Sequence, residues 1–165
     1  MAKPDKQAKD AKTNVMRLLD AAAVPYTALH YNTDDGMIDG VSVAAKIERP
    51  CECVFKTLVT QGASRALLVF VIPCHHELDL KKAARAAREK NIAMLPSRDL
   101  LKNTGYIHGG CSPLGMKKPL PTFIDESAQL LDTMVVSAGK IGSQVELTPQ
   151  QLLQLSKANF ADLCK

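Results

Sequence analysis

The sequence predicts a mixed α/β fold of the α+β type, with a mixed sheet flanked by helices. Three observations carry this. Helical and strand-like patterns alternate irregularly along the 165 residues. Two β-rich runs, Val54 to Thr60 and Arg65 to Ile72, are joined by Gln61-Gly62-Ala63-Ser64, a hairpin signal. No regular strand–helix–strand period appears, which argues against a doubly wound parallel sheet. The length suits one domain with a real core and is short for two ordinary ones. Residues 1–12 are polar and lysine-rich and read as a flexible basic tail ahead of a single domain over 13–165.

Val15, Leu18, Leu19 and Ala22 follow helical spacing, and Val24-Pro25 ends that helix. Pro25 to Tyr31 reads as a short strand, and Thr33-Asp34-Asp35-Gly36 as a turn. A short helix follows over Val41 to Ile47, then the hairpin. Asp79 is placed to cap a helix from Leu80 to Lys90. Ile92 to Leu95 is a strand, and Ser97 is expected to cap a short helix ending near Asn103-Thr104-Gly105. Thr122 to Ile124, Thr133 to Ser137 and Val145 to Leu147 are strands. Thr148-Pro149 pairs a cap with proline at the first helical position, and Leu152, Leu153 and Leu155 face inward on the last helix.

Hydrophobic residues make up 46% of the chain and charged ones 23%, the balance of a globular protein. The longest apolar run, Ala66 to Pro73, is far too short to span a membrane. The amino terminus has no apolar signal-peptide core, so the cytoplasm is the expected compartment. Five cysteines, an odd number, argue for free thiols. Cys51-Glu52-Cys53 is not the C-x-x-C of zinc sites, and Cys74-His75-His76 also lacks zinc spacing, so no metal site is expected. The net charge of +4 is modest, but Lys81, Lys82, Arg85, Arg88 and Lys90 cluster on one predicted helix. Such a cluster suits a phosphate backbone; a solvated helix face explains it as well.

Two features carry chemistry. From Gly105 to Gly115 the chain holds four glycines and a proline, followed by Lys117 and Lys118. Such a loop can present backbone N–H groups to an anion or a carbonyl, and tight turns use the same residues. Lys56 interrupts the apolar run Val54-Phe55-Lys56-Thr57-Leu58-Val59. Strand alternation points it with Val54 and Leu58, and Phe55, Thr57 and Val59 the other way. A lysine that guards a sheet edge and a lysine that serves a site explain this equally.

Tyr106-Ile107-His108-Gly109-Gly110-Cys111-Ser112-Pro113-Leu114-Gly115 resembles the signature loop of the YbaK/EbsC proteins, free-standing relatives of the editing domain of bacterial prolyl-tRNA synthetases. Phe55-Lys56-Thr57-Leu58 resembles their lysine strand, and Leu78-Asp79-Leu80-Lys81-Lys82-Ala83-Ala84 the start of their central helix. Val136-Ser137-Ala138-Gly139-Lys140 resembles their second glycine turn, usually Ser-Gly-Gly-Lys. The resemblance runs from about Val15 to the C-terminus.

It implies a mixed, partly closed β-barrel-like sheet and an aminoacyl-tRNA deacylase that clears Cys-tRNA(Pro), with Cys-tRNA(Cys) as a further substrate. Alternatives in the same fold are an editing enzyme for Ala-tRNA(Pro) and a non-catalytic binder of tRNA ends. Lys56 would hold a phosphate or the ester carbonyl as a point charge. Gly109 and Gly110 would offer N–H groups to the oxyanion. Tyr31, Thr57, Ser112, Ser137 and Lys140 would bind substrate. The implied partner is the 3′ end of aminoacylated tRNA, with prolyl-tRNA synthetase as a second candidate, and no membrane or cofactor is involved. Gln144 stands where the family often has an aspartate or another small polar residue and is assigned no acid–base role. Cys111 beside His108 suggests a nucleophile, but no distant His/Asn partner is evident and side chains of an extended loop point apart.

Overall fold

The computed structural model describes residues 11–165, so nearly all of the expected tail lies outside the described residues. Helix α1 (Asn14–Ala21) starts at Thr13, whose side chain accepts from the Met16 N–H, and it buries Val15, Met16 and Leu19. Strand β1 (Thr27–His30) and helix α2 (Gly40–Lys46) follow; Asp39 caps α2 by accepting from the Ser42 N–H. A 3₁₀ turn, Cys51–Cys53, leads into strand β2 (Phe55–Gly62) and its hairpin partner β3 (Leu67–Pro73). Helix α3 (Leu80–Ala87) is capped by Asp79, as expected, but ends three residues early. Arg88 takes a left-handed conformation there and closes the helix.

Strand β4 (Ile92–Met94) and helix α4 (Ser97–Thr104) come next. Ser97 is the first helical residue rather than the cap; Pro96 holds that position without a side-chain bond. Beyond the glycine loop lie β5 (Thr122–Asp125), a 3₁₀ turn (Glu126–Leu130), β6 (Met134–Lys140) and β7 (Ser143–Leu147). Helix α5 (Pro149–Ser156) opens with a capping box between Thr148 and Gln151, and β8 (Asn159–Ala161) ends the fold. Sequence patterning misses β8 because three half-exposed residues have no period.

The strands form two sheets. One is antiparallel, in the order β1-β7-β6; the other is mixed, in the order β4-β2-β3-β5-β8. In the second, β4, β2 and β3 are antiparallel, while β3-β5 and β5-β8 are parallel. The mixed sheet is therefore as expected. The two sheets are bridged at Val54–Val135 and pack on a shared core, and among the described residues the ladders close no full barrel.

Strand β3 sits mid-sheet and is apolar on both faces, as a strand covered on both sides must be. Val69 and Val71 point into the main core with Phe55, Val59, Ile124 and Val136. Leu68, Phe70 and Ile72 point the other way, under Ala83 and Ala84 of α3. A third cluster, holding Tyr31, Val43, Ala44, Val54 and Val135, seats α2. Arg49 ties the end of α2 to β7 by a forked ion pair with Glu146, at 2.7 and 3.2 Å. No helix among the described residues is long and apolar enough to cross a membrane.

Candidate functional site

Strand β2 pairs with β3 over Phe55–Gln61 but with β4 only over Thr60–Gly62. Its first half thus has one covered edge and one open one. A cavity of about 310 Å³ lies against that half, walled also by the start of α2 and the glycine loop. This is a suitable size for a small ligand. Because the strand meets the cavity near its edge, neighbours from both of its faces line it, Lys56 and Thr57 among them.

Lys56 is half-buried, and among the described residues no carboxylate lies within ion-pair distance of it. Its neighbour Leu58 packs under α3, so the lysine shares a sheet face with the basic helix. The Thr57 hydroxyl is buried with no hydrogen-bond partner among the described residues. A buried hydroxyl left unmatched costs about 1–3 kcal/mol, so one aimed at a cavity is a ready contact for a bound polar group.

The glycine loop makes a tight turn in which the Gly110 N–H donates to the Ile107 carbonyl over 3.0 Å. Gly109 takes φ +87°, the left-handed region where side chains are strained. It lines the cavity; Gly110 does not. Gly110 instead lets the loop press on the β6–β7 hairpin, since a Cβ there would lie 3.2 Å from the Ile141 nitrogen. The expected pair of oxyanion donors is thereby reduced: the Gly110 N–H is spent inside the turn, and Gly109 alone stands at the wall.

Ser137 of β6 lines the cavity, and its Oγ accepts from the Gly139 N–H over 3.1 Å. The expected glycine turn here is an irregularity within β6, with register shifting between Ser137 and Lys140. Ala138 fits because Gly139 takes the left-handed position, at φ +88°, while Ala138 is buried in the core. Three expected substrate contacts stand off the wall. Ser112 is fully buried and accepts from the Leu114 N–H, shaping the loop. Lys140 is exposed at the end of β6. Tyr31 is buried in the cluster beneath α2, with Lys46 over its ring at 5.9 Å and its hydroxyl without a partner among the described residues.

Sequence patterning misses two parts of the wall. Ile38 and Asp39 precede α2, and only the short apolar pair Met37-Ile38 after a polar turn marks them. Gln144 of β7, which residue type alone leaves without a role, is buried opposite Ser137 and lines the cavity. A larger groove of about 520 Å³, between α1, Pro113–Leu120 and α5, is lined by Leu18, Leu114, Met116 and Leu155 and holds none of these groups.

Cys111 and His108 both line the cavity. Burial pushes the Cys111 thiol up to about 12. It stays protonated at neutral pH, and a protonated thiol is not the nucleophilic form. Cys111→Ala is therefore expected to keep most of the activity, and Cys111 to resist alkylation in the folded protein near pH 8. Mass mapping of labelled cysteines and a rate measurement on the variant check both. All five cysteines are free. Sequence spacing points to no metal site, yet the fold brings ligand atoms of Cys51, Cys74 and His75 within 4.8 Å of one another.

A family model described as an aminoacyl-tRNA editing domain matches residues 39–155. The chain is 43% identical over 158 residues to the Enterococcus faecalis protein named "Putative Cys-tRNA(Pro)/Cys-tRNA(Cys) deacylase EbsC", spanning 96% of each. It is 24% identical to "Uncharacterized protein YwhH" of Bacillus subtilis, over 82% of this chain and 90% of that one. A crystal structure described as "a putative trans-editing enzyme for prolyl tRNA synthetase" shares the fold, with a TM-score of 0.78 at 22% identity over 94% of this chain and 99% of that one. The family model spans Lys56, the glycine loop and the Ser137–Lys140 segment, and with the EbsC likeness along nearly the whole length it places this chain in the family of aminoacyl-tRNA editing domains.

Proposed function

We propose that the protein is an aminoacyl-tRNA deacylase that clears Cys-tRNA(Pro) in trans, and Cys-tRNA(Cys) as well, within a single editing domain over residues 13–165. The observation that carries this reading is one cavity holding a half-buried lysine and a buried hydroxyl, both without a partner among the described residues, and a left-handed glycine, in a chain of the editing family. Cysteine is close to proline in size, and an apolar synthetase pocket rejects such a neighbour poorly, so a second site must remove it.

In this reading the substrate thiol attacks its own ester carbonyl. The sulfur–carbon bond forms and the carbon–oxygen ester bond breaks. The thiol proton passes to the departing ribose hydroxyl, leaving a thiolactone that water opens to cysteine. Lys56 holds the carbonyl or the neighbouring phosphate, the Gly109 N–H meets the developing oxyanion, and Thr57 fixes the amino acid. Ser137 and Gln144 complete the wall. Selectivity then lies in the substrate: only a side chain with a nucleophile in reach reacts. The tRNA body is gripped by the exposed Lys81 and Arg85 of α3, whereas Lys82 is held by Asp162 at 3.1 Å and by the Cys164 carbonyl at 2.8 Å. Prolyl-tRNA synthetase is the candidate partner that would deliver the charged tRNA.

The test is ester loss across a panel of charged tRNAs. Cys-tRNA(Pro) is expected to lose its ester fast, Ser-tRNA(Pro) far more slowly and Pro-tRNA(Pro) hardly at all, because a thiol is the better nucleophile at neutral pH. Equal rates on cysteine and proline, or none on either, would remove the assignment. Neutralising Lys81 and Arg85 should weaken tRNA binding and lower the slope of its salt dependence by about one for each phosphate no longer neutralised. A slope unchanged in the double variant would move the grip elsewhere.

A further inference from the structure

Cys51, Cys74 and His75 come from segments far apart in sequence that the fold joins at the foot of the β2–β3 hairpin. Cys51 opens the 3₁₀ turn before β2, and Cys74 and His75 form the turn leaving β3. The Cys74 N–H donates to the Val54 carbonyl over 2.7 Å, and the His76 N–H to the Pro73 carbonyl over 3.1 Å, so both turns are pinned by backbone. Two thiol sulfurs and an imidazole nitrogen lie within 4.8 Å of one another.

A tetrahedral zinc ion bonds sulfur at about 2.3 Å and imidazole nitrogen at about 2.0–2.1 Å, which puts its ligand atoms roughly 3.5–4 Å apart. Binding would draw the three ligand atoms together by up to about 1 Å. The donor set is selective: two thiolates and an imidazole suit zinc-class cations, whereas magnesium and calcium want oxygen. The ligands run from buried Cys74 through half-buried Cys51 to exposed His75, which leaves an entry path at the histidine. The His76 ring lies against His75, tilted by 49° with ring centroids 4.2 Å apart, and limits how the imidazole can turn. Two thiolates neutralise a divalent ion, so the nearby charge of Lys56 does not forbid it. A disulfide between the two cysteines would leave the imidazole without a part to play. Cys53, the other half of the C-x-C, lies instead among Glu52, Glu146 and Arg49.

We propose that Cys51, Cys74 and His75 form a binding site for zinc, with water in the fourth position of the tetrahedron. Cys74 also lines the cavity beside Lys56, so the ion would stand in the wall of the candidate site. Zinc binding by these three residues is independent of which tRNA is the substrate.

Cobalt(II) is the probe. Chelator-treated full-length protein, kept reduced, is titrated with Co²⁺ and followed by absorbance. The expected result is one equivalent bound per chain, with a near-ultraviolet thiolate-to-cobalt band and the intense visible bands of a tetrahedral site, both erased by Zn²⁺. Cys51→Ser and Cys74→Ser should each lower the charge-transfer intensity, Cys53→Ser should keep it, and His75→Ala should weaken binding by more than the roughly 10–100-fold that losing an outer-shell partner of a ligand costs. If Cys74→Ser fails to fold, half-buried Cys51 and exposed His75 still decide the matter. No tetrahedral spectrum in the parent, a charge-transfer intensity undiminished in Cys51→Ser, or an unchanged cobalt affinity in His75→Ala overturns the site.

Discussion

Lys56→Ala lowers the deacylation rate by roughly a hundredfold or more, the drop seen when one preorganised electrostatic contact is removed. The ammonium is half-buried on the cavity wall with no ion-pair partner among the described residues, so its charge is available to a ligand. The same freedom means that its removal breaks no internal ion pair. Lys56 pairs with Ile72 through the backbone ladder, which alanine retains. Urea unfolding of the variant is expected to match the parent within about 0.5 kcal/mol, the usual range for a substitution away from core or network. Single-turnover measurements on Cys-tRNA(Pro) give the rate. A folded variant with the parent's rate would make Lys56 a sheet-edge lysine. Lys56→Arg distinguishes further: a planar fork does not replace a compact point charge in a small cavity, so it should recover only part of the rate.

Gly109→Ala is the second large effect, and it acts by shape. At φ +87° a side chain is strained, by roughly 1–2 kcal/mol for an L-residue in the left-handed region. The new methyl would also lie 2.8 Å from Cδ1 of Ile38. Ile38 is flexible enough to yield, but it too lines the cavity, so the relief of one clash moves the wall. A displacement of about 1 Å near a reacting group can cost a hundredfold in rate. The expected variant is thus folded, modestly destabilised and nearly inactive. Parallel thermal unfolding and kinetics check it: a rate decrease no larger than the lowered stability predicts would show that Gly109 serves the turn alone.

Lys56 and the glycine loop are legible in the sequence because each breaks a local rule. A charge in an apolar strand and four glycines in a short span need no tertiary knowledge to stand out. The hairpin, α3 with its Asp79 cap and the Thr148-Pro149 start of α5 are legible for the same reason. The spent Gly110 N–H is not, because a glycine pair does not say which amide the turn consumes. Gln144 gives no signal by residue type, and its place across from Ser137 follows only from the β6–β7 register. Ile38 and the Cys51–Cys74–His75 group depend on packing between distant segments, which periodicity cannot reveal. How the two sheets meet, through the Val54–Val135 bridge and a shared core, likewise depends on packing that the strand pattern does not give.

The parallel pairing of β3 with β5, and of β5 with β8, sets how this protein must fold. Val69 lies beside Thr122, and Phe123 beside Asn159, so the middle of the larger sheet waits for partners from the far half of the chain. Loops that long must close before the parallel ladders reward them, so refolding is expected in milliseconds to seconds rather than microseconds. The β2–β3 hairpin carries Lys56 and can form early from local contacts. The glycine loop that faces it lies between α4 and β5 and takes its final position only when β5 docks. Site assembly and global folding should therefore be one kinetic event, with no active intermediate on the way.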